Sequence, residues 1–128
     1  MFVLKRFAAF VAAGLLLIAS RYYPVALVRG NYGEITYYTA CDLPSERGDA
    51  YSYCRADTYG GEEKALEIIR SLGADVLFTE KPEGVTIYYC YSAAFPRSVK
   101  VNGKAVNLAV AVRGDKVSAG TPLLKGSY

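Results

Sequence analysis

Past residue 30, the chain carries apolar residues at helical spacing most clearly in one place, where Ala65, Ile68, Ile69 and Leu72 follow the i, i+3, i+4, i+7 rule and Leu66 widens the stripe. Asp57 or Thr58 is placed to cap the start, Glu62 and Glu63 complement the positive helix end, Arg70 complements the negative one, and Gly73 supplies the stop. The spacing predicts a helix over residues 62–72. A single amphipathic helix must lie on something, and the segments around it read with a period of two.

In residues 84–92, Val85, Ile87, Tyr89 and Tyr91 alternate with Thr86, Tyr88 and Cys90, and residues 76–80 form a partner strand across the turn Lys81-Pro82-Glu83-Gly84. Asn102-Gly103 is the strongest local signal, because a type I′ turn wants positive φ at both central positions. It joins residues 98–101 to a strand over 105–112, in which Val106, Leu108, Val110 and Val112 face one way and Ala105, Asn107, Ala109 and Ala111 the other. Arg113-Gly114-Asp115-Lys116 turns the chain into a last strand over 117–121. Upstream, residues 35–41 and 50–56 are strand candidates separated by the polar stretch 42–49. The fold class that follows is α+β: one amphipathic helix packed on a mainly antiparallel sheet of roughly five or six strands, preceded by an N-terminal hydrophobic segment. One helix cannot cover both faces, so the second face is expected to show small, polar and tyrosyl groups such as Tyr38, Ser52, Tyr88, Asn107 and Ala109. A one-residue slip in register would exchange these with their neighbours.

Residues 7–19 are uninterrupted apolar sequence behind Lys5 and Arg6, the layout of a secretory signal. That run spans about 20 Å as a helix, short of a bilayer core of about 30 Å. Leu17, Ile18 and Arg21 flank Ala19 and Ser20 where small residues would favour cleavage, and the segment reaches about 33 Å if it continues to residue 28. Residues 1–28 are therefore expected to be a signal peptide or an uncleaved signal-anchor contacting the membrane through residues 7–28. Residues 29–128 would then form an extracytoplasmic domain, single-pass or secreted. A buried N-terminal helix of a cytosolic protein is the third reading.

The formal charge of +3 comes from Lys5, Arg6, Arg21 and Arg29; the remaining eleven bases face twelve acids. A near-neutral domain lacks the basic field a nucleic-acid binder uses, so no nucleic acid is expected. Within the domain the charges segregate, and Arg97, Lys100, Lys104, Arg113, Lys116 and Lys125 form a candidate basic patch for an acidic partner or a solubilising pattern.

The chain has no His, which removes the usual general base and the His zinc signatures. Carboxylate pairs Glu62 with Glu63 and Glu63 with Glu67 sit where they serve a helix end, and Tyr59-Gly60-Gly61 opens onto acids that would repel phosphate. Neither a catalytic residue, a metal ligand nor a cofactor site is expected. Three cysteines, Cys41, Cys54 and Cys90, permit one disulfide with one thiol left over. Cys54 with Cys90 is the favoured pair, if their strands are neighbours. The alternative is unpaired thiols acting as small buried hydrophobes. Twelve tyrosines without tryptophan is the compositional outlier. Tyr38, Tyr53, Tyr88 and Asn107 make a candidate interaction face, against a reading of the tyrosines as sheet and core fillers.

Tyr89-Cys90-Tyr91-Ser92, the run Asn102-Gly103-Lys104-Ala105-Val106-Asn107-Leu108-Ala109-Val110-Ala111 and the terminal Gly120-Thr121-Pro122-Leu123-Leu124 together resemble the YwmB-like family of exported or membrane-associated proteins of endospore-forming bacteria. The resemblance covers roughly residues 75–128. It implies a fold like the TATA-box-binding repeat, a curved antiparallel sheet backed by helix, without transfer of DNA binding. Members of that family are longer and hold two such repeats, which makes a homodimer through the uncovered sheet face or edge an expectation here. The function expected is a non-catalytic envelope binding or assembly module, sporulation being the setting the resemblance implies. The alternatives are an enzyme acting on envelope polymer through Asp or Glu with Tyr, and a thiol redox element.

Overall fold

The structure is a computed structural model that describes Leu27, Gly30 and residues 32–38, 44–45 and 53–126. Its strands in chain order are β1 (Glu34–Tyr38), β2 (Pro44–Ser45) and β3 (Tyr53–Tyr59), then the helix α1 (Gly61–Ser71), then β4 (Asp75–Glu80), β5 (Val85–Tyr91), β6 (Val99–Val101), β7 (Lys104–Val106), β8 (Leu108–Arg113) and β9 (Lys116–Thr121). Every pairing is antiparallel. The main sheet runs β2-β1-β3-β9-β8-β5-β4, and β6 with β7 forms a separate two-stranded ribbon. The α+β class, the antiparallel sheet and the helix on one face all hold, and the sheet reaches seven strands because the two-residue β2 extends it.

The β8–β9 hairpin fills the middle of the sheet, so that α1 lies across β8 and β9 on its way from β3 to the far edge strand β4. Its stripe Ala65, Ile68, Ile69 and Leu72 is buried against Cys54, Ala56, Tyr88, Cys90, Leu108, Val110, Val112, Val117 and Ala119. Burying the three larger helix residues contributes about 1.5–3 kcal/mol each. Leu66 does not widen that stripe; it is exposed at the edge of the helix.

The helix start is not capped by Asp57 or Thr58, which belong to β3. Gly60, at φ 134°, turns the chain, and the Gly60 and Gly61 N–H groups both donate to the Asp115 carbonyl in the β8–β9 turn, at 2.9 and 3.1 Å. A distant turn thus does the work of a capping side chain. The helix stops as expected at Gly73, at φ 60°: the Gly73 N–H reaches the Arg70 carbonyl and the Ala74 N–H the Ile69 carbonyl, a Schellman arrangement.

The Asn102-Gly103 turn also forms with positive φ at both residues, 50° and 76°. The strand after it is not continuous. It breaks at Asn107 into β7, in the ribbon, and β8, in the main sheet. The Asn107 side chain is fully buried at this corner, where its Nδ2 donates to the carbonyls of Ser92 and Phe95 and its Oδ1 accepts from the Ser92 N–H. Local backbone groups that lost their ladder partners are satisfied by one amide.

Leu27 is helical, fully buried and part of the core beneath α1. The folded unit therefore reaches back past the expected boundary at residue 29. The rest of the expected membrane segment, residues 7–26 and 28, lies outside the described residues, as do Cys41 and Ser52. Among the described residues no helix is long and apolar enough to cross a membrane.

Candidate binding surface

On the face away from α1, the register aligns Thr36, Arg55, Gly120, Ala109, Tyr89 and Phe78 in one row and Glu34, Asp57, Ser118, Ala111, Ile87 and Glu80 in the next. In these two rows the central strands β8 and β9 present Gly120, Ser118, Ala109 and Ala111, a shallow trough between larger side chains. The chain's own C-terminal residues lie in it. Leu124, like Tyr89, packs on the cluster of Val85, Ile87 and Ala111, and a Cβ on Gly120 would stand 2.6 Å from the Leu123 carbonyl oxygen and 2.9 Å from the Leu124 Cα. Of the residues expected on this face, Tyr38 and Ala109 lie there, together with the apolar Phe78, Val85 and Ile87, and its middle is covered in cis rather than left open.

Arg55 anchors that cover. It is 3 % exposed, pairs with Asp57 at 2.8 Å, and donates to the Ser118 hydroxyl and, through Nη1, to the Lys125 carbonyl at 3.0 Å. The Ser118 hydroxyl in turn donates to Asp57 at 2.6 Å. A buried guanidinium with its carboxylate and two further acceptors is fully satisfied, which is the condition for a buried ion pair to be tolerated. Beside it, the Tyr53 ring has the Arg97 guanidinium and the Lys125 ammonium each 4.9 Å from its centroid. Tyr53 pairs with Tyr38 across β1 and β3, and a Cβ on Gly126 would lie 2.9 Å from the Tyr38 hydroxyl. Two tyrosines and two cations thus meet at the end of the sheet where β3 begins and where Lys125 and Gly126 lie.

No protein-family model matches the chain, and no curated protein or solved structure matches it.

Of the expected interaction face, Tyr38 and Tyr53 come together. Tyr88 and Asn107 do not join them. Tyr88 points under the helix, where its hydroxyl donates to Glu62 at 2.7 Å, and burial and this carboxylate push the phenol up to about 12. The one-residue alternation puts Tyr89 on the outer face instead, stacked on Phe78 at 4.6 Å. Asn107 is the buried corner described above. The expected basic patch divides in two. Arg97, Lys100, Lys104 and Lys125 surround the β6–β7 ribbon and the start of β3, whereas Arg113 and Lys116 pair in the β8–β9 hairpin, whose turn receives the helix N-terminus.

Cys54 and Cys90 are free thiols, not a disulfide. Both face the helix in one row, Tyr37, Cys54, Thr121, Leu108, Cys90 and Val76, but β9 and β8 separate their strands. Three strand spacings amount to about 14 Å, twice the Cα separation a disulfide spans. The expectation failed because it assumed β3 and β5 to be neighbours. Burial pushes both thiols up to about 12, so they stay protonated and unreactive at neutral pH.

The sequence reading gives Arg55 and Ser118 no role, and Asp57 only that of a helix cap. A signal existed: in a strand, Arg55 and Asp57 at i and i+2 share a face, and a charged pair pointing away from the helix-side residues Cys54 and Ala56 asks for a partner.

Proposed function

We propose that this chain is a non-catalytic binding or assembly module of the bacterial envelope. In this reading residues 7–26 bring it to the membrane as a signal-anchor, or direct its secretion if they are cleaved, and the domain works outside the cytoplasm; Leu27, buried in the core, belongs to the domain and not to the membrane segment. Sporulation is the setting that the YwmB-like resemblance of residues 75–128 suggests. The observation that carries the binding role is the Tyr53 ring flanked by Arg97 and Lys125. An amphipathic ring with two cations is the composition that recognises an acidic or phosphate-bearing envelope partner.

The test is site-specific crosslinking in intact cells with a photoreactive phenylalanine analogue in place of Tyr53. Adducts to an envelope component that are lost with Arg97→Glu support the reading. Adducts no stronger than those from the same analogue at Tyr59, which is 71 % exposed at the other end of β3, or adducts only to cytosolic proteins, overturn it.

A further inference from the structure

Four basic residues lie in or beside the ribbon: Lys100 and Lys104 within it, Arg97 just before it, and Lys125, which shares the Tyr53 ring with Arg97. Asp75, at the start of β4, pairs with Tyr91 at the end of β5, on the same side of the sheet. The opposite end of the sheet is built differently. The β4–β5 and β8–β9 turns and the first turn of α1 carry Glu62, Glu63, Glu80, Glu83 and Asp115 together with Lys64, Lys81, Arg113 and Lys116. Among the described residues the ribbon end is thus basic and the opposite end mixed in charge.

The basic end is also where Tyr32 is tied in. The Tyr32 hydroxyl bonds the Ser71 hydroxyl at 2.7 Å, the next residue's carbonyl, on Leu72, accepts from Ser92 at 2.6 Å, and Ser92 is clamped by Asn107 at the root of the ribbon. Leu27, five residues before Tyr32, is wholly buried in the core.

We infer that the ribbon end is a membrane-facing surface, with Lys100 and Lys104 meeting the headgroups of anionic phospholipids while residues 7–26 provide the tether. The inference rests on the membrane reading above and adds an orientation and a ligand class to it. Lys100 and Lys104 are exposed at the ribbon tip on opposite faces, flanking Asn102-Gly103. Neither belongs to an ion pair among the described residues. Each cation held near an anionic bilayer strengthens partition severalfold, and added salt screens the effect. The two lysines together are worth an order of magnitude or more on that basis.

The full-length chain is mixed with vesicles of phosphatidylcholine alone, and with vesicles in which phosphatidylglycerol replaces about a third of it. Flotation measures association, and mass spectrometry after brief acetylation measures the accessibility of each lysine. The inference requires Lys100 and Lys104 to be labelled severalfold more slowly on the anionic vesicles, with Lys81 in the β4–β5 turn unchanged. The Lys100→Glu, Lys104→Glu double variant should lose the anionic preference in flotation. Flotation with both vesicle types but equal labelling of all three lysines overturns the orientation and leaves the tether standing. Flotation with neither overturns both. Flotation with anionic vesicles only, together with protected lysines, supports the surface and removes the tether.

Discussion

Asn107 and Ser92 exchange two hydrogen bonds of 2.7 Å, the Ser92 N–H donating to the Asn107 Oδ1 and the Asn107 Nδ2 donating to the Ser92 carbonyl. A side-chain amide here reproduces the paired bonds of an antiparallel ladder where the backbone has left the sheet. Both residues are fully buried. The pair holds the ribbon root against the end of β5 and, through the Ser92 hydroxyl on Leu72, against the end of the helix.

Asn107→Leu leaves the Ser92 N–H and two carbonyls without their partner in a dry corner. A loss of about 3 kcal/mol or more is expected, read as a lowered urea midpoint. A loss under about 0.5 kcal/mol, the range of an ordinary surface substitution, would show that the corner is held by something else.

Arg55 joins the sheet to the C-terminal tail. Arg55→Met strands the Asp57 carboxylate, and because that side chain is 26 % exposed the cost is put at roughly 2–4 kcal/mol, below the full figure for a buried charge. Combining it with Asp57→Leu should restore much of the loss. Equal destabilisation in the single and double variants would argue that the tail contact, not the ion pair, is what matters.

Gly120→Ala tests the tail more directly. The added methyl meets backbone atoms of Leu123 and Leu124 at under 3 Å, so the strap must lift. A destabilisation of about 1–3 kcal/mol is expected, with faster proteolytic cleavage after Lys125. Unchanged cleavage would mean that the tail does not depend on this seat.

The helix, the hairpins at residues 81–84, 102–103 and 113–116, and the alternation of β5 and β8 were legible in the sequence because each is decided within a few residues. Strand order was not. It depends on the β8–β9 hairpin inserting between β3 and β5, a choice made by the shared core under α1, and the Cys54–Cys90 expectation failed with it. Asn107 misled for a local reason: it fits the alternation of 105–112, and only its burial reveals a corner. In the candidate site, Tyr38 and Tyr53 could be read from strand periodicity. The trough of Gly120, Ala109 and Ala111 could not, because its purpose appears only once the tail is in place.

Cys54, Cys90 and Tyr88 all have protonation shifted upward in the folded state. Their contribution to stability is fully present below about pH 9, where the unfolded thiols are also protonated, and is lost as pH rises toward about 12. The urea midpoint should therefore fall across the alkaline range, and less steeply in a Cys54→Ala, Cys90→Ala variant. Under native conditions at neutral pH, alkylation followed by peptide mapping should leave both thiols unmodified. Ready modification of either, or recovery of a Cys54–Cys90 cross-link, would contradict the register.

The central claim is that the domain lies outside the cytoplasm. Protease added to intact cells carrying a C-terminally tagged chain measures this most directly. The account predicts that the tag is removed from the membrane-bound chain, or recovered in the medium if the segment is cleaved. A tag that survives in intact cells and sediments with neither membrane nor medium, but stays in the soluble lysate, would contradict it.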